Sequence, residues 1–404
     1  MQADFHYYAT YCAAHLAGHS PQECHDICYS AQLVDWCSRT FLTELHAPLD
    51  AATTQLQLEL MEARTDLVGL QDITRIWSSF HFLPYDLQAD PGRGGRRYRD
   101  KYRLICRPNG PLVAETVELA RGHGPQAVGL AMHVLADTWA HQYFAGTPSF
   151  VINNTTDFFY ELVGEGEDRQ ERKVSFVHNP SAADDLDTGT YVNSLYQQGE
   201  RSVMVLGHGR AGHLPDYSFA RYRYLPAWAD YADVLKDNPS DFWHAFCQMV
   251  HAMRCLRTGE PFAVRRYAWE EVLPWEDEIR AIIGRRQLDA SDDWRTLGEW
   301  MVGCALEPFD LGRYSDEYLA AAPRERDATF LGQFVLAALA QKSMVTNRIF
   351  RSGNLLAGLS IEYHEKGFAG IRDYLSLVDY VRKEALDAGR EAMRAGDRPK
   401  GGRP

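Results

Sequence analysis

The run MHVLADTWAHQYFAG, residues 132–146, spaces His133, Asp137 and His141 four apart inside an otherwise apolar segment. Positions four apart on an α-helix differ by about 40° in azimuth and about 6 Å in rise, so the three side chains form one row. Val134, Leu135 and Trp139 cover the other faces of that helix and belong in a core. A chain that buries such a row has to satisfy it, because an imidazole or carboxylate removed from water without a partner is costly. The groups can bond among themselves, with Asp137 between two imidazoles. Alternatively they can ligate a metal ion, since imidazole nitrogen and carboxylate oxygen are donors that zinc and, to a lesser degree, manganese or iron accept.

Other residues of the same chemistry sit in apolar, aromatic or glycine-rich settings. His6 lies in DFHYY and Asp35 in AQLVD, within the first two helices; His81 lies in FHFLP, where a helix gives way to a loop; His208, His213 and Asp216 lie in GHGRAGHLPD. By contrast His15, His19, His46, His123 and His178 are in polar or turn settings, and His244 and His251 read as packing residues on a helix. The eight cysteines include no C-x-x-C pair and read as packing thiols. No P-loop, dinucleotide fingerprint or G-x-S-x-G motif is present.

Helical signals dominate the rest. SPQE at 20–23 offers Ser20 as N-cap, Pro21 as first helical residue and Glu23 as capping-box partner. Helical spacing recurs over about 51–79, from Pro125 to about Phe144, and near 241–256, 270–283, 293–305, 327–349 and 368–393. Region 145–230, rich in Asn, Gly, Asp, Ser and Tyr, reads as long ordered loops, and 394–404 as a polar tail. The expected fold is therefore all-α: residues 1–230 form a His- and Asp-rich core with loops at 145–230, and residues 231–393 form a helical buttress of the same unit.

Lys plus Arg number 42 against 55 Asp plus Glu, a formal charge of −13, so bulk nucleic-acid binding is not expected. The amino terminus does not read as a secretory signal, and no apolar run approaches the roughly 20 residues of a membrane span. A cytoplasmic protein is the expectation.

HVLADTWAH, with the early His6, Asp35 and the FHFLP histidine, resembles the ligand order of the zinc-dependent phospholipase C and single-strand nuclease superfamily, all-helical hydrolases with a metal cluster. More closely, the DFHYY, AQLVD, HVLADTWAH and GHGRAGHLPDYS segments resemble an uncharacterised bacterial family, domain of unknown function 6765, which carries no established activity. The superfamily resemblance implies that Asp35, His81, His133 and Asp137 hold one metal, with Asp137 bridging. His6 would serve a neighbouring ion, and His141, His208 or His213 another, with Asp216 as late carboxylate. Asp216 lies three residues from His213, where the superfamily shows four. In secreted members the amino terminus is also a ligand. Here Met1 precedes His6 with no cleavable signal, which makes two ions, rather than three, the expectation.

Two metals about 3.5 to 4 Å apart activate water and clamp a phosphoryl centre. Asp137 would orient the water, and Arg210 and Arg221, with Arg223 or the arginine-rich stretch 92–103, would offset substrate charge. The expected function is a metal-dependent hydrolase of phosphate esters, most of all phosphodiesters, acting on a small molecule. The rival expectations are a non-catalytic metal-binding or scaffold protein and a metal-free hydrogen-bond network.

Overall fold

In the computed structural model, which describes residues 1–63, 67–164, 166, 169–179, 181–193 and 206–357, the helix that carries the His-Asp-His row lies at the centre of the fold. The chain opens with a π-helical turn, Asp4–Ala9, that runs on as α1 (Thr10–Leu16). There follow α2 (Pro21–Leu33), α3 (Arg39–Glu44), α4 (Gln57–Ala63), α5 (Leu67–Phe80), α6 (Arg96–Arg103), α7 (Pro111–Leu119) and the central helix α8 (Pro125–Ala140). The capping box at the start of α2 forms: Ser20 Oγ accepts from Glu23 N–H, and the Glu23 carboxylate accepts from Ser20 N–H at 2.8 Å. Every residue of α8 from Val128 to Ala140 is buried, because α2, α7, α11 (Asn238–Thr258) and α16 (Phe330–Arg351) surround it. Gly129 sets the closest approach. A Cβ there would lie 2.2 Å from Ile27 O, so only glycine lets α2 come near enough for its last turn to touch His133.

The all-α expectation is overturned by the segment expected to be loops. After α9 (Phe150–Asn153) come β1 (Thr155–Val163), β2 (Gln170–Lys173), β3 (Ser175–Val177), β4 (Thr190–Val192), α10 (Gly207–Ala211), β5 (Arg221–Pro226) and β6 (Val234–Asp237). Strands in the order β2-β1-β5-β6 form an antiparallel sheet, and β3 pairs with β4 in parallel. The fold is mixed α/β. The reason is visible in β5, RYRYLP, where buried Tyr222, Tyr224 and Pro226 alternate with half-exposed Arg221, Arg223 and Leu225, the two-residue period of a half-buried strand. Tyr224 stacks on Phe159 of β1 at 5.4 Å between centroids, so the sheet carries its own aromatic core. Within it the Glu161 carboxylate, 1% exposed, takes a hydrogen bond from Arg172 at 2.7 Å and a second guanidinium from Arg286.

The helices after the sheet, α11, α12 (Trp269–Val272), α13 (Glu276–Gly284), α14 (Ser291–Val302), α15 (Ser315–Ala320) and α16, pack back on the first half, α14 against the π-helical turn and α16 against α5 and α8. The helix expected at 368–393 and the tail at 394–404 lie outside the described residues. Among those described, no helix is long and apolar enough to cross a membrane.

Two stability predictions follow from these contacts. Gly129→Ala should cost about 1–3 kcal/mol in denaturant unfolding, since the added methyl has to push α2 off α8. Glu161→Gln should cost about 1–3 kcal/mol at pH 7, because it leaves two half-buried arginines without their carboxylate. Burial opposes ionisation of Glu161, but the hydrogen bonds from Arg286 and Arg172 outweigh it and hold the carboxyl below its usual value of 4.5. Its stabilisation is therefore present above about pH 4.5 and lost as pH falls through the lower folded value. Unfolding free energies of wild type and variant measured from pH 7 down to pH 3 should converge at the acid end.

Candidate metal centre

Each ligand-type side chain is delivered by a different local device. In the π-helical turn, Thr10 N–H reaches back five residues to Phe5 O; this wider turn carries His6 into the core, where its ring stacks on His133 at 3.8 Å. Asp35 follows the last turn of α2, and His81 follows the last residue of α5. His133 and Asp137 project from α8, and His141 is its C-cap residue. His208 sits on α10, and Asp216 sits in the turn after it. That turn is held by the buried amide of Asn238, the first residue of α11, which donates to Leu214 O at 2.8 Å and Tyr217 O at 2.8 Å. The end of α8 is held likewise: the buried Lys236 ammonium of β6 donates to Trp139 O at 2.9 Å. Lys236 of the unexpected sheet thus fixes the end of the helix that carries His141, and the first residue of α11 fixes the turn that carries Asp216.

Backbone carbonyls decide the histidine tautomers. His133 Nδ1–H donates to Ala31 O at 2.9 Å, His81 Nε2–H to Thr53 O at 3.0 Å, and His141 Nδ1–H to His81 O at 2.7 Å. A ring that gives its one proton outward turns a bare lone pair inward, the outer-shell arrangement of metal-binding histidines. Consequently His81 Nδ1 and His133 Nε2 face each other at 3.3 Å and face Asp137 Oδ2 at 3.1 and 3.2 Å, acceptors all. Asp35 Oδ1 stands 3.9 Å from both nitrogens. The second oxygen, Asp137 Oδ1, lies 3.1 Å from His6 Nε2. On the far side His141 Nε2 lies 3.0 Å from Asp216 Oδ1, which is 3.2 Å from His208 Nε2. Three groups, His6–His133–Asp137, Asp35–His81–His133 and His141–His208–Asp216, therefore each bring three ligand atoms within 4.8 Å of one another. His133 is common to the first two, so two independent triads remain, with Asp137 between them.

The α-amino group of Met1 also enters the cluster, 2.8 Å from Asp137 Oδ1, 3.1 Å from His141 Nε2 and 3.2 Å from Asp216 Oδ1. Burial works against its charge, but the Asp137, Asp216 and Asp35 carboxylates prevail and raise it to about 11. Burial lowers His6, His133 and His141 to about 4, so these rings are neutral at pH 7. Burial also opposes ionisation of Asp137 and Asp216, yet the surrounding imidazoles and the Met1 ammonium outweigh it and hold both well below the carboxylate range. Three carboxylates then share one ammonium. Among the described residues no lysine or arginine makes an ion pair with any of the three.

Of the residues expected at the site, the structure brings together His6, Asp35, His81, His133, Asp137, His141, His208 and Asp216. It does not bring in His213, whose Nδ1–H instead donates to Asp184 Oδ2 at 2.9 Å while Tyr217 donates to the same oxygen at 2.6 Å. Arg221 is paired with Asp237 at 2.8 Å, and Arg223 with Asp233 and Glu171, all at the sheet surface. Arg210 comes two residues after His208 on α10, about 200° around the helix, and its charge acts on Tyr231. Sequence reasoning set the Met1 amine aside and missed Lys236 and Asn238; the one available signal was a lysine and an asparagine closely flanking an aspartate, which has no specific meaning in sequence.

No curated protein and no solved structure matches the chain, and the distant likeness to the phospholipase C and nuclease superfamily finds no support there. Residues 1–349, which hold every member of the cluster, match the family described as "Family of unknown function (DUF6765)", and the chain belongs to that family.

Proposed function

We propose that the protein is a metal-dependent hydrolase of phosphate esters, with phosphodiesters the favoured class and zinc the favoured metal. One observation carries this reading: at His81, His133, Asp35 and Asp137 only acceptor atoms face one another, an arrangement that a cation stabilises and hydrogen bonding among those atoms does not. The donor set of imidazole nitrogens and carboxylate oxygens suits zinc, with manganese or iron as substitutes. Asp35, His81 and His133 would hold one ion and His141, His208 and Asp216 a second, Asp137 offering an oxygen to each side. The Met1 amine and His6 stand beside Asp137 Oδ1 as further donors. This is also the order of ligands that the superfamily resemblance implies.

Bound ions of this kind supply Lewis acidity, lowering the pKa of water and offsetting negative charge on a phosphoryl group. The chain's own part is to aim and to admit. The carbonyls of Ala31, Thr53 and His81 lock the rings; Asp137, 1% exposed, is fixed too firmly to swing away. The side chains of Asp35 and His208, one in each triad, are 28% and 20% exposed. That partial exposure supports a catalytic site over a structural one, which protein ligands close on all sides. With Arg210 and Arg221 engaged elsewhere, no described arginine is assigned to the substrate.

Protein purified without a nickel column should contain about two equivalents of metal by elemental analysis. Fewer than one equivalent would remove the basis of the reading. Asp137→Asn should lower hydrolysis of a bis-aryl phosphate by more than the 10–100-fold typical of outer-shell partners, with far-UV circular dichroism unchanged. Bound metal with no hydrolysis across a panel of esters would instead support a non-catalytic metal-binding protein.

A further inference from the structure

Three helices meet around a cavity that the metal centre does not use. Between them α7, α8 and α16 enclose about 130 Å³, lined by Ala120, Ala127, Ala131, Ala337 and Ala340 together with larger side chains such as Leu130. We propose that this cavity binds a small neutral molecule, about the size of a benzene ring, that carries one hydroxyl group. The proposal rests on the cavity's own walls and not on the metal reading.

Close-packed protein interiors leave few voids larger than a water molecule. Here the space persists because alanines face one another from all three helices. Leucine has a helix propensity close to that of alanine and would fill the gap, so helix formation alone does not call for the small residues. The volume is in the range that admits benzene to an apolar protein cavity. The cavity is partly open, and Leu336 in its wall is 42% exposed, so a molecule can enter from solvent.

The polar groups of the wall set what can enter. Gln341 and Thr116 both line the cavity. Gln341 is 1% exposed, and its Nε2 donates to Ser79 O at 3.0 Å and to Thr116 Oγ1 at 3.0 Å. A backbone carbonyl can only accept, which fixes the amide: turned over, it would set Oε1 against Ser79 O. Oε1 is therefore left buried, with no hydrogen-bond partner among the described residues. An acceptor in that state is costly, and a donor delivered into the cavity removes the cost.

Among the described residues no lysine, arginine, aspartate or glutamate lines the cavity, so an ion would enter without counter-charge. One bare acceptor calls for one donor. A hydroxyl supplies it on a neutral molecule, and an apolar ring fills the remaining space against the alanine and leucine side chains.

The test is ligand-observed NMR titration of the full chain with phenol and with toluene, which share a shape and differ in the hydroxyl. Phenol should bind saturably and at least fivefold more tightly than toluene, with and without EDTA. Ala337→Leu, which fills the cavity from α16, should weaken phenol binding at least tenfold without lowering the melting temperature. Gln341→Met keeps the length of the side chain and removes the amide oxygen. It should bring phenol to the affinity of toluene while toluene changes less than twofold, an outcome that loss of folding cannot produce. No saturable binding of phenol, equal affinity of phenol and toluene for the wild type, or phenol binding unchanged in Ala337→Leu would each overturn the proposal. Binding abolished by EDTA would overturn it as well, by assigning the hydroxyl to the metal cluster.

Discussion

Asp137 is the constraint to which everything else in this molecule answers. A carboxylate in the middle of a buried helix is unfavourable unless its surroundings stabilise the charge, and here the Met1 ammonium stands 2.8 Å from one oxygen while four imidazoles crowd within 3.4 Å of the two. Those groups come from the chain's first six residues, from the end of α5 and from α8 itself. The helices that carry them cannot shift independently without leaving a charge unmatched. Packing around α8 and polar satisfaction inside it are in this sense one requirement.

The two layers divide the work. The helical layer brings the first side chains of the cluster together through close approach, above all at Gly129, where the absence of a side chain lets α2 offer Ala31 O to His133. The other side chains of the cluster are held by Lys236 of β6, on a carbonyl of the last turn of α8, and by Asn238 at the start of α11, on the turn that carries Asp216. Neither residue touches the centre of the cluster. Both act by using up backbone acceptors that would otherwise compete for solvent, which leaves the ligand side chains with one orientation each.

Most of the cluster was legible because it rests on short-range spacing and on residue types that are expensive to bury. His133, Asp137 and His141 share a helical face by arithmetic alone, and His6, His81 and His208 stand out from apolar or glycine-rich surroundings. What was illegible depends on tertiary pairing. His213 has the same local setting as His208, yet Asp184, 29 residues away, claims it. Arg210 and Arg221 lie near ligands in sequence but leave on the opposite face of a helix or strand. The sheet was hidden because all its strands but β1 are short and separated by Asn, Gly and Asp, so compositional signals of loop outweighed the Arg-Tyr alternation of β5. A polar-looking strand stays a strand when its other face meets aromatic rings.

The π-helical turn at Asp4–Ala9 has a consequence for how such a chain can vary. A π-turn amounts to one residue inserted into an α-helix, and α1 continues from it without a break. Deleting a single residue there would let the backbone relax to the commoner helix and rotate everything before it by about 100° about the axis. His6 and the Met1 amine would leave Asp137 together, in one step, while the hydrophobic content of the segment stayed almost the same. A length change invisible to any measure of composition would thus dismantle one side of the cluster, so the spacing of this amino-terminal segment is as much a part of the site as the residues in it.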